Sequence, residues 1–235
     1  MQIFKIEQNS EVWLQFRMGK FMGSNAKDAH PVANNKSERY AGYWTTLSQK
    51  MAEAPDGEDP MERGHRLENI ALDILAKKYG LDIDKEPGVW VSDLDEDMGI
   101  SPDGAQIVDV EAGEIPIYAA EVKALESGKH LKFVRKDILA KQRSDYNPIY
   151  SVPNEQGAYY RDQAIKYFVV NKKLEKLYYV LYDDRITFDH LVCYVITINR
   201  SDVEDLAQEQ ENREMEALVE MNATIAMLAN YKEEQ

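Results

Sequence analysis

The sequence at residues 117–123 is IYAAEVK, a mostly apolar run that ends in a glutamate and a lysine. Its β-branched and aromatic residues predict a strand over 115–122, and Pro116 indicates that this strand begins at an edge or a bulge. Side chains alternate between the two faces of a strand, so we expect Glu121 and Lys123 on the same face. The pattern therefore places an acid beside a base at the end of an apolar strand.

A second motif, SPDG at residues 101–104, precedes a further predicted strand at 107–110 and a turn at Gly113. If the two strands pair as a hairpin, Asp103 comes against Glu121. Two carboxylates, with a main-chain carbonyl between Glu121 and Lys123, form an oxygen-rich site for a hard cation such as Mg²⁺. Such an ion lowers the pKa of a bound water and neutralises charge on a phosphate, while the lysine ammonium orients the water.

Each motif alone also has an ordinary structural interpretation. A Pro-Asp-Gly triplet is typical of a β-turn, and a Glu-x-Lys pair on a strand is typical of a solvated ion pair. The combination is more specific, because both motifs lie at the ends of neighbouring predicted strands.

Hydrophobic periodicity predicts the elements around this hairpin. Helices are predicted at 10–19, 34–51, 61–79, 130–143, 155–170 and 201–231, and further strands at 89–91, 177–182 and 191–198. This order predicts an α/β fold with a mixed central β-sheet flanked by helices. We expect one domain over 1–235, with a helical segment at 1–60, a core at 61–200 and an acidic carboxy-terminal helix at 201–235.

Composition limits the class of protein. With 44% hydrophobic and 30% charged residues, the 235-residue chain is typical of a globular protein. One cysteine, Cys193, excludes an internal disulfide and a thiolate zinc cage, and it favours a reducing compartment such as the cytoplasm. The amino terminus lacks an apolar signal segment and no run of 18 apolar residues occurs, so neither export nor a membrane partner is expected.

The net charge of −14 is unevenly distributed. Residues 201–235 hold ten acids and two bases, a net −8, which leaves −6 for the other 200 residues. The stretch 129–143 holds six bases and one acid. Such a stretch is commonly a solvated helix face, but its place after the predicted strand also suits contact with a DNA backbone through Lys129, Lys132, Arg135 and Lys136.

Pro102-Asp103 and Glu121-Val122-Lys123 resemble the signature of the PD-(D/E)XK nucleases, whose restriction-endonuclease-like core has a mixed sheet. Four further blocks resemble the lambda exonuclease branch, the YqaJ-type viral recombinases. In chain order these blocks are WLQFRMG at 13–19 with GS at 23–24, GHRLE at 64–68, Ser101 before the Pro-Asp pair, and YRDQAIKY at 160–167.

The resemblance implies a role for each matching residue. It implies that Asp103, Glu121 and the Val122 carbonyl ligate one or two Mg²⁺ ions, with Mn²⁺ as an alternative. Glu68 would then touch a metal-bound water or a second metal, and Lys123 would assist the attacking water. A 5′-phosphate pocket is implied at Arg17, Ser24, Ser101 and Gln163. The chain departs from the branch at Ile165, where a second glutamine is common, and at Met22 and Ala124.

The implied activity is that of a Mg²⁺-dependent DNA exonuclease. It would resect linear double-stranded DNA 5′ to 3′ from 5′-phosphorylated ends, as a homotrimer that supplies a single-strand annealing protein during recombination. In a phage-encoded protein, the site of action would be the cytoplasm of the bacterial host. A single-strand exonuclease or an endonuclease with the same core, or a non-catalytic DNA- or partner-binding protein, remains an alternative.

Overall fold

A computed structural model describes residues 12, 31–32, 35–39, 43–45, 60–95, 97–155 and 158–229. Its helices are α1 (Pro60–Tyr79), α2 (Ser127–Ala140), α3 (Arg161–Val170), α4 (Asp189–Val192) and α5 (Glu204–Ala229). Two 3₁₀ helices span Pro148–Ser151 and Arg200–Asp202. The strands are β1 (Pro31–Val32), β2 (Asn35–Arg39), β3 (Ile83–Asp84), β4 (Trp90–Val91), β5 (Gly99–Ile100), β6 (Gly104–Gln106), β7 (Tyr118–Ala124), β8 (Asn154–Glu155), β9 (Ala158–Tyr159), β10 (Lys176–Tyr182) and β11 (Cys193–Asn199).

Five strands form one sheet in the order β11-β10-β7-β6-β3. Strands β3, β6 and β7 pair as antiparallel neighbours. The start of β10 lies beside the start of β7, because the main-chain N–H groups of Glu175 and Lys176 donate to the Ile117 carbonyl. The Asp183 N–H donates to the Val192 carbonyl, which joins the end of β10 to the start of β11. The sheet is therefore mixed, as the sequence predicts.

The described chain divides into two compact units. One comprises the described parts of Met1–Leu81 with Val122–Tyr146 and Val180–Ile196. The other comprises the described parts of Asp82–Glu121, Asn147–Tyr179 and Thr197–Gln235. The single domain with boundaries at 60 and 200 stays a prediction.

The main elements follow the sequence pattern. In α1, Leu67, Ala71 and Leu75 recur at a spacing of four and are fully buried, which forms one apolar stripe. Gly80 follows the helix with a φ of 64°, the left-handed conformation that glycine adopts without steric cost. Every residue of β10 after Lys176 is buried, as expected for an apolar strand with a neighbour on each side. Among the described helices there is none whose length and hydropathy would let it span a bilayer.

Two predicted elements are wrong. The helix expected over 34–51 is contradicted at its start, where β2 pairs antiparallel with β1. The strand expected over 107–110 is an exposed loop, and the residues that pair with β7 are those of β6, directly after Asp103. In that loop, the Asp109 N–H donates to a Glu114 carboxylate oxygen and the Asp109 carboxylate accepts from the Ala112 N–H. Such local side-chain bonds compete with a strand ladder.

Other boundaries move by several residues. The helix expected from 155 begins at Arg161, because β8 and β9 form a two-stranded hairpin before it. The helix expected from 130 begins at Ser127, and the carboxy-terminal helix begins at Glu204 after a 3₁₀ turn. The helix predicted at 10–19 lies outside the described residues apart from Val12, which is helical.

Candidate active site

The β6–β7 hairpin places Asp103 opposite Glu121. Gly104 pairs with Ala120 and Ala105 with Ala119, so one further step of this antiparallel register aligns the two acids. Directly opposed residues in such a pair have Cβ atoms about 5 Å apart. Pro102 is buried, and Asp103, at a bend directly before β6, is half-buried. The structure thus brings together the two carboxylates that the sequence singles out.

The Glu121 side chain is almost completely buried, with 1% of its surface exposed. The Gln163 amide donates to its Oε1 atom at 2.7 Å, and the Tyr167 hydroxyl donates to its Oε2 atom. Gln163 and Tyr167 are four residues apart on α3, so they lie on one face of that helix. Two donors from one helix face therefore fix the orientation of the Glu121 carboxylate.

Tyr167 links the two acids. Burial raises the pKa of its hydroxyl well above the usual value, and the negative charges of Glu121 and Asp103 raise it further. A main-chain hydrogen bond with Asp103 opposes part of this shift. The ring packs edge-on against Trp90 with 6.3 Å between centroids. Tyr167 therefore stays protonated at neutral pH and can donate to Glu121.

Tyr179 of β10 is a neighbour of this site that sequence reasoning missed. Burial raises the pKa of its hydroxyl well above the usual value, and the charges of Glu121 and Asp103 add to the shift. The hydroxyl is buried and has no hydrogen-bond partner among the described residues. In the sequence Tyr179 lies within the apolar run 177–182, so its only signal was that of a core residue.

Val122 and Lys123 follow Glu121 in β7. Val122 is buried and Lys123 is half-buried. The two-residue spacing of Glu121 and Lys123 in an extended strand gives them the same face, as expected. Glu68 is half-buried on α1. It belongs to one compact unit, and Asp103 and Glu121 belong to the other.

The donor set is compatible with a hard divalent cation. Within the described part of the chain, no group of three or more His, Cys, Asp or Glu residues is arranged to hold a metal ion. Mg²⁺ is commonly held by only one or two carboxylates and keeps water or substrate phosphate as its other ligands. The buried, unpartnered hydroxyl of Tyr179 beside two carboxylates also leaves a polar donor for bound water or substrate. Asp103 and Glu121 fit such an ion.

The residues predicted to hold a 5′-phosphate are only partly described. Arg17 and Ser24 lie outside the described residues. Ser101 is exposed two residues before Asp103, and Gln163 contacts Glu121. Ile165, at the position where a second glutamine is common in the branch, is buried with 4% of its surface exposed, so this side chain packs in the core.

The model of the YqaJ-like viral recombinase domain matches residues 12–166, well over half of the chain. The chain belongs to this family. The match includes the β6–β7 hairpin and the first half of α3, where Asp103, Glu121 and Gln163 lie. The predicted family is therefore confirmed.

Among solved structures, the chain is similar to the alkaline exonuclease LHK-Exo from Laribacter hongkongensis. The two share 20% sequence identity with a TM-score of 0.52, over 94% of this chain and 96% of the other. A structure of LHK-Exo in complex with dAMP also matches, with 19% identity and a TM-score of 0.46 over 93% and 100% of the two chains. None of the curated proteins matches the chain. The likeness to the first structure shows that the fold is shared.

Helix α2 carries the predicted DNA-backbone residues on its outer side. Lys129, Arg135 and Lys136 are exposed and Lys132 is half-buried. Lys129 lies 3.5 Å from Glu126, the Lys132 ammonium lies 5.8 Å from the Phe133 ring centre, and the Arg135 guanidinium lies 5.9 Å from the Trp44 ring centre. The basic outer face that the sequence predicts is present, and its contact with DNA stays a prediction.

Proposed function

We propose that the protein is a divalent-metal-dependent DNA exonuclease that hydrolyses phosphodiester bonds of linear duplex DNA. Membership of the YqaJ-like viral recombinase family supports a DNA exonuclease. The observation that carries the proposal is the convergence of Asp103 and Glu121 on the Tyr167 hydroxyl. Two carboxylates near one hydroxyl, with Lys123 two residues after Glu121 in the same strand, are the groups that metal-dependent phosphodiester hydrolysis uses.

Each residue then has a defined task. Asp103 and Glu121 hold Mg²⁺ or Mn²⁺, with the Val122 carbonyl as a further oxygen ligand. When bound, this ion supplies charge neutralisation at the phosphate and lowers the pKa of water. Gln163 and Tyr167 fix the Glu121 carboxylate, so that its lone pairs point in one direction. Lys123 orients the attacking water, and Glu68 assists on the water or at a second ion.

A second part of the proposal concerns the DNA end that the protein binds and the direction of digestion. Digestion proceeds 5′ to 3′ from a 5′-phosphate that Arg17, Ser24, Ser101 and Gln163 bind. A guanidinium group suits this task because its fork donates two parallel hydrogen bonds to phosphate oxygens. The outer bases of α2 hold the DNA backbone nearby.

The proposal extends to the assembly and its setting. The protein acts as a homotrimer in the cytoplasm of a bacterial cell, and it passes the resected strand to a single-strand annealing protein for recombination. These features follow from the resemblance to the family.

The test is digestion of three matched DNA substrates with Mg²⁺ or with EDTA. They are a linear duplex with 5′-phosphates, the same duplex with 5′-hydroxyls, and a closed circle. We expect loss of the linear duplexes alone, fastest with 5′-phosphates and absent with EDTA. Lys123→Ala should be inactive, whereas Lys173→Ala, which removes an exposed lysine, should retain activity.

Other results identify the alternatives. Cleavage of the circle would replace the exonuclease with an endonuclease, and digestion of single strands alone would replace the duplex substrate. If folded protein left all DNA intact with either metal, the non-catalytic binding protein would be the better interpretation.

A further inference from the structure

Arg161, the first residue of α3, forms a pair with Tyr150 outside the set of residues assigned above. The guanidinium carbon lies 5.0 Å from the centre of the Tyr150 ring. Arg161 is half-buried, and 52% of the Tyr150 surface is exposed. A guanidinium over an aromatic face is held in a defined orientation by the cation–π interaction.

Apart from the Tyr150 ring, the Arg161 guanidinium has no carboxylate or hydrogen-bond partner in the described part of the chain. Its Nε atom is buried without a hydrogen bond, and no described residue forms a hydrogen bond or an ion pair with the side chain. By contrast, Arg185 is paired with Asp183, and Arg213 with Glu209. A buried polar group without a partner is costly, so a half-buried guanidinium of this kind calls for a ligand.

The position of Arg161 favours an anionic ligand. The capping residue of α3, Tyr160, makes no side-chain hydrogen bond to the first turn of the helix. The first turn of a helix presents main-chain N–H groups that have no acceptor within the helix. These groups and the helix dipole attract negative charge. Gln163, two residues further along, contacts the proposed metal ligand Glu121.

We propose that Arg161, held by Tyr150, binds a phosphate of the DNA backbone at the amino-terminal end of α3, the helix whose Gln163 and Tyr167 contact Glu121. This inference rests on the proposed function, and it adds a contact beyond the terminal 5′-phosphate. The guanidinium provides the charge and the donors, and the exposed ring provides a flat surface beside the strand. A DNA backbone is the expected anion, because the neighbouring carboxylates are proposed to act on the same strand.

The test is a titration of fluorescent linear duplex with full-length protein in EDTA at several salt concentrations. Each phosphate contact contributes about 0.9 to the slope of log affinity against log salt for duplex DNA. Arg161→Ala should weaken binding roughly tenfold and reduce that slope by about one contact. Arg161→Lys should keep the slope and lose part of the affinity, because it retains the charge without the fork.

Arg213→Ala is the matched control, because it removes an exposed arginine that is already paired. It should leave both affinity and slope unchanged. Tyr150→Leu should weaken binding without changing the slope, since the charge remains. Melting temperatures identify any variant that fails to fold, and Arg161→Gln, which keeps part of the stem, then replaces Arg161→Ala.

The two proposals fail in different ways. If the unchanged protein binds and digests DNA but Arg161→Ala and Arg161→Gln both retain its affinity and slope, the phosphate contact is wrong and the exonuclease stands. If the unchanged protein neither binds nor digests DNA, both are wrong. A slope that falls equally in Arg213→Ala would also overturn the contact, because the effect would then be one of net charge.

Discussion

Replacing Tyr167 with phenylalanine removes the hydroxyl that donates to Glu121, a candidate metal ligand. The ring and its edge-on contact with Trp90 remain, whereas Glu121 loses the donor to its Oε2 atom. A hydrogen bond to a charged group is worth about 1.5–3 kcal/mol, and 1.4 kcal/mol corresponds to a factor of ten. We therefore expect the affinity for Mg²⁺, read from the metal dependence of DNA digestion, to fall about 10- to 100-fold.

The control for this variant is Tyr194→Phe. Tyr194 donates to a different buried carboxylate, Asp137, at 2.7 Å, so the same chemical change is made away from the two proposed metal ligands. It should lower the melting temperature and leave the Mg²⁺ dependence unchanged. If Tyr167→Phe digested DNA at the unchanged rate and with the unchanged Mg²⁺ dependence, the argument that Tyr167 orients Glu121 would be refuted.

Three further predictions concern other parts of the chain. Asp103→Asn should abolish digestion in DNA assays. The circular dichroism spectrum and the melting temperature of this variant should stay close to those of the unchanged protein. Retained activity would exclude Asp103 as a metal ligand. Asp137→Ala should lower the free energy of unfolding in urea by about 3 kcal/mol, because the half-buried Tyr146 and Tyr194 lose the buried carboxylate that accepts from their hydroxyls. A change within 0.5 kcal/mol would contradict this. Burial raises the pKa of the Cys193 thiol from 9.0 to about 11, so stability should fall as pH rises from about 9 to 11, and Cys193→Ala should reduce this fall.

Strands β7, β10 and β11 of the central sheet could be predicted from the sequence because they have distinctive local patterns, whereas the short strands β3 and β6 were not predicted. The apolar runs that became β7 and β10 are long enough to identify without tertiary information. The loop at 107–117 could not be predicted in this way. Its Ile107 and Val110 favour a strand by composition, yet they are 60% and 77% exposed, since hydrogen bonds within the loop prevail over β propensity.

In the candidate site, the two acids could be predicted from the sequence, whereas the side chains that surround Glu121 could not. The opposition of Asp103 and Glu121 follows from the hairpin register, for which the sequence indicates the apolar strand of Glu121 but not its partner strand β6. The environment of Glu121 does not follow from any local pattern, because Tyr167 and Tyr179 come from elements more than 40 residues away along the chain. In the sequence both residues have only the pattern of core aromatics.

Helix α2 has two sides with different roles, an inner side that contacts the rest of the protein and an outer side that carries basic residues. Its inner side is held by polar contacts: the His130 ring is 2.7 Å from the Leu191 carbonyl, and Asp137 accepts from two tyrosines and Lys141. Its outer side presents the basic residues to solvent. The described polar contacts of the inner side are made by His130 and Asp137, which are not among the basic residues of the outer side. Substitution of the exposed Lys129 or Arg135 is therefore expected to change the surface charge of this helix while the contacts of His130 and Asp137 remain in place.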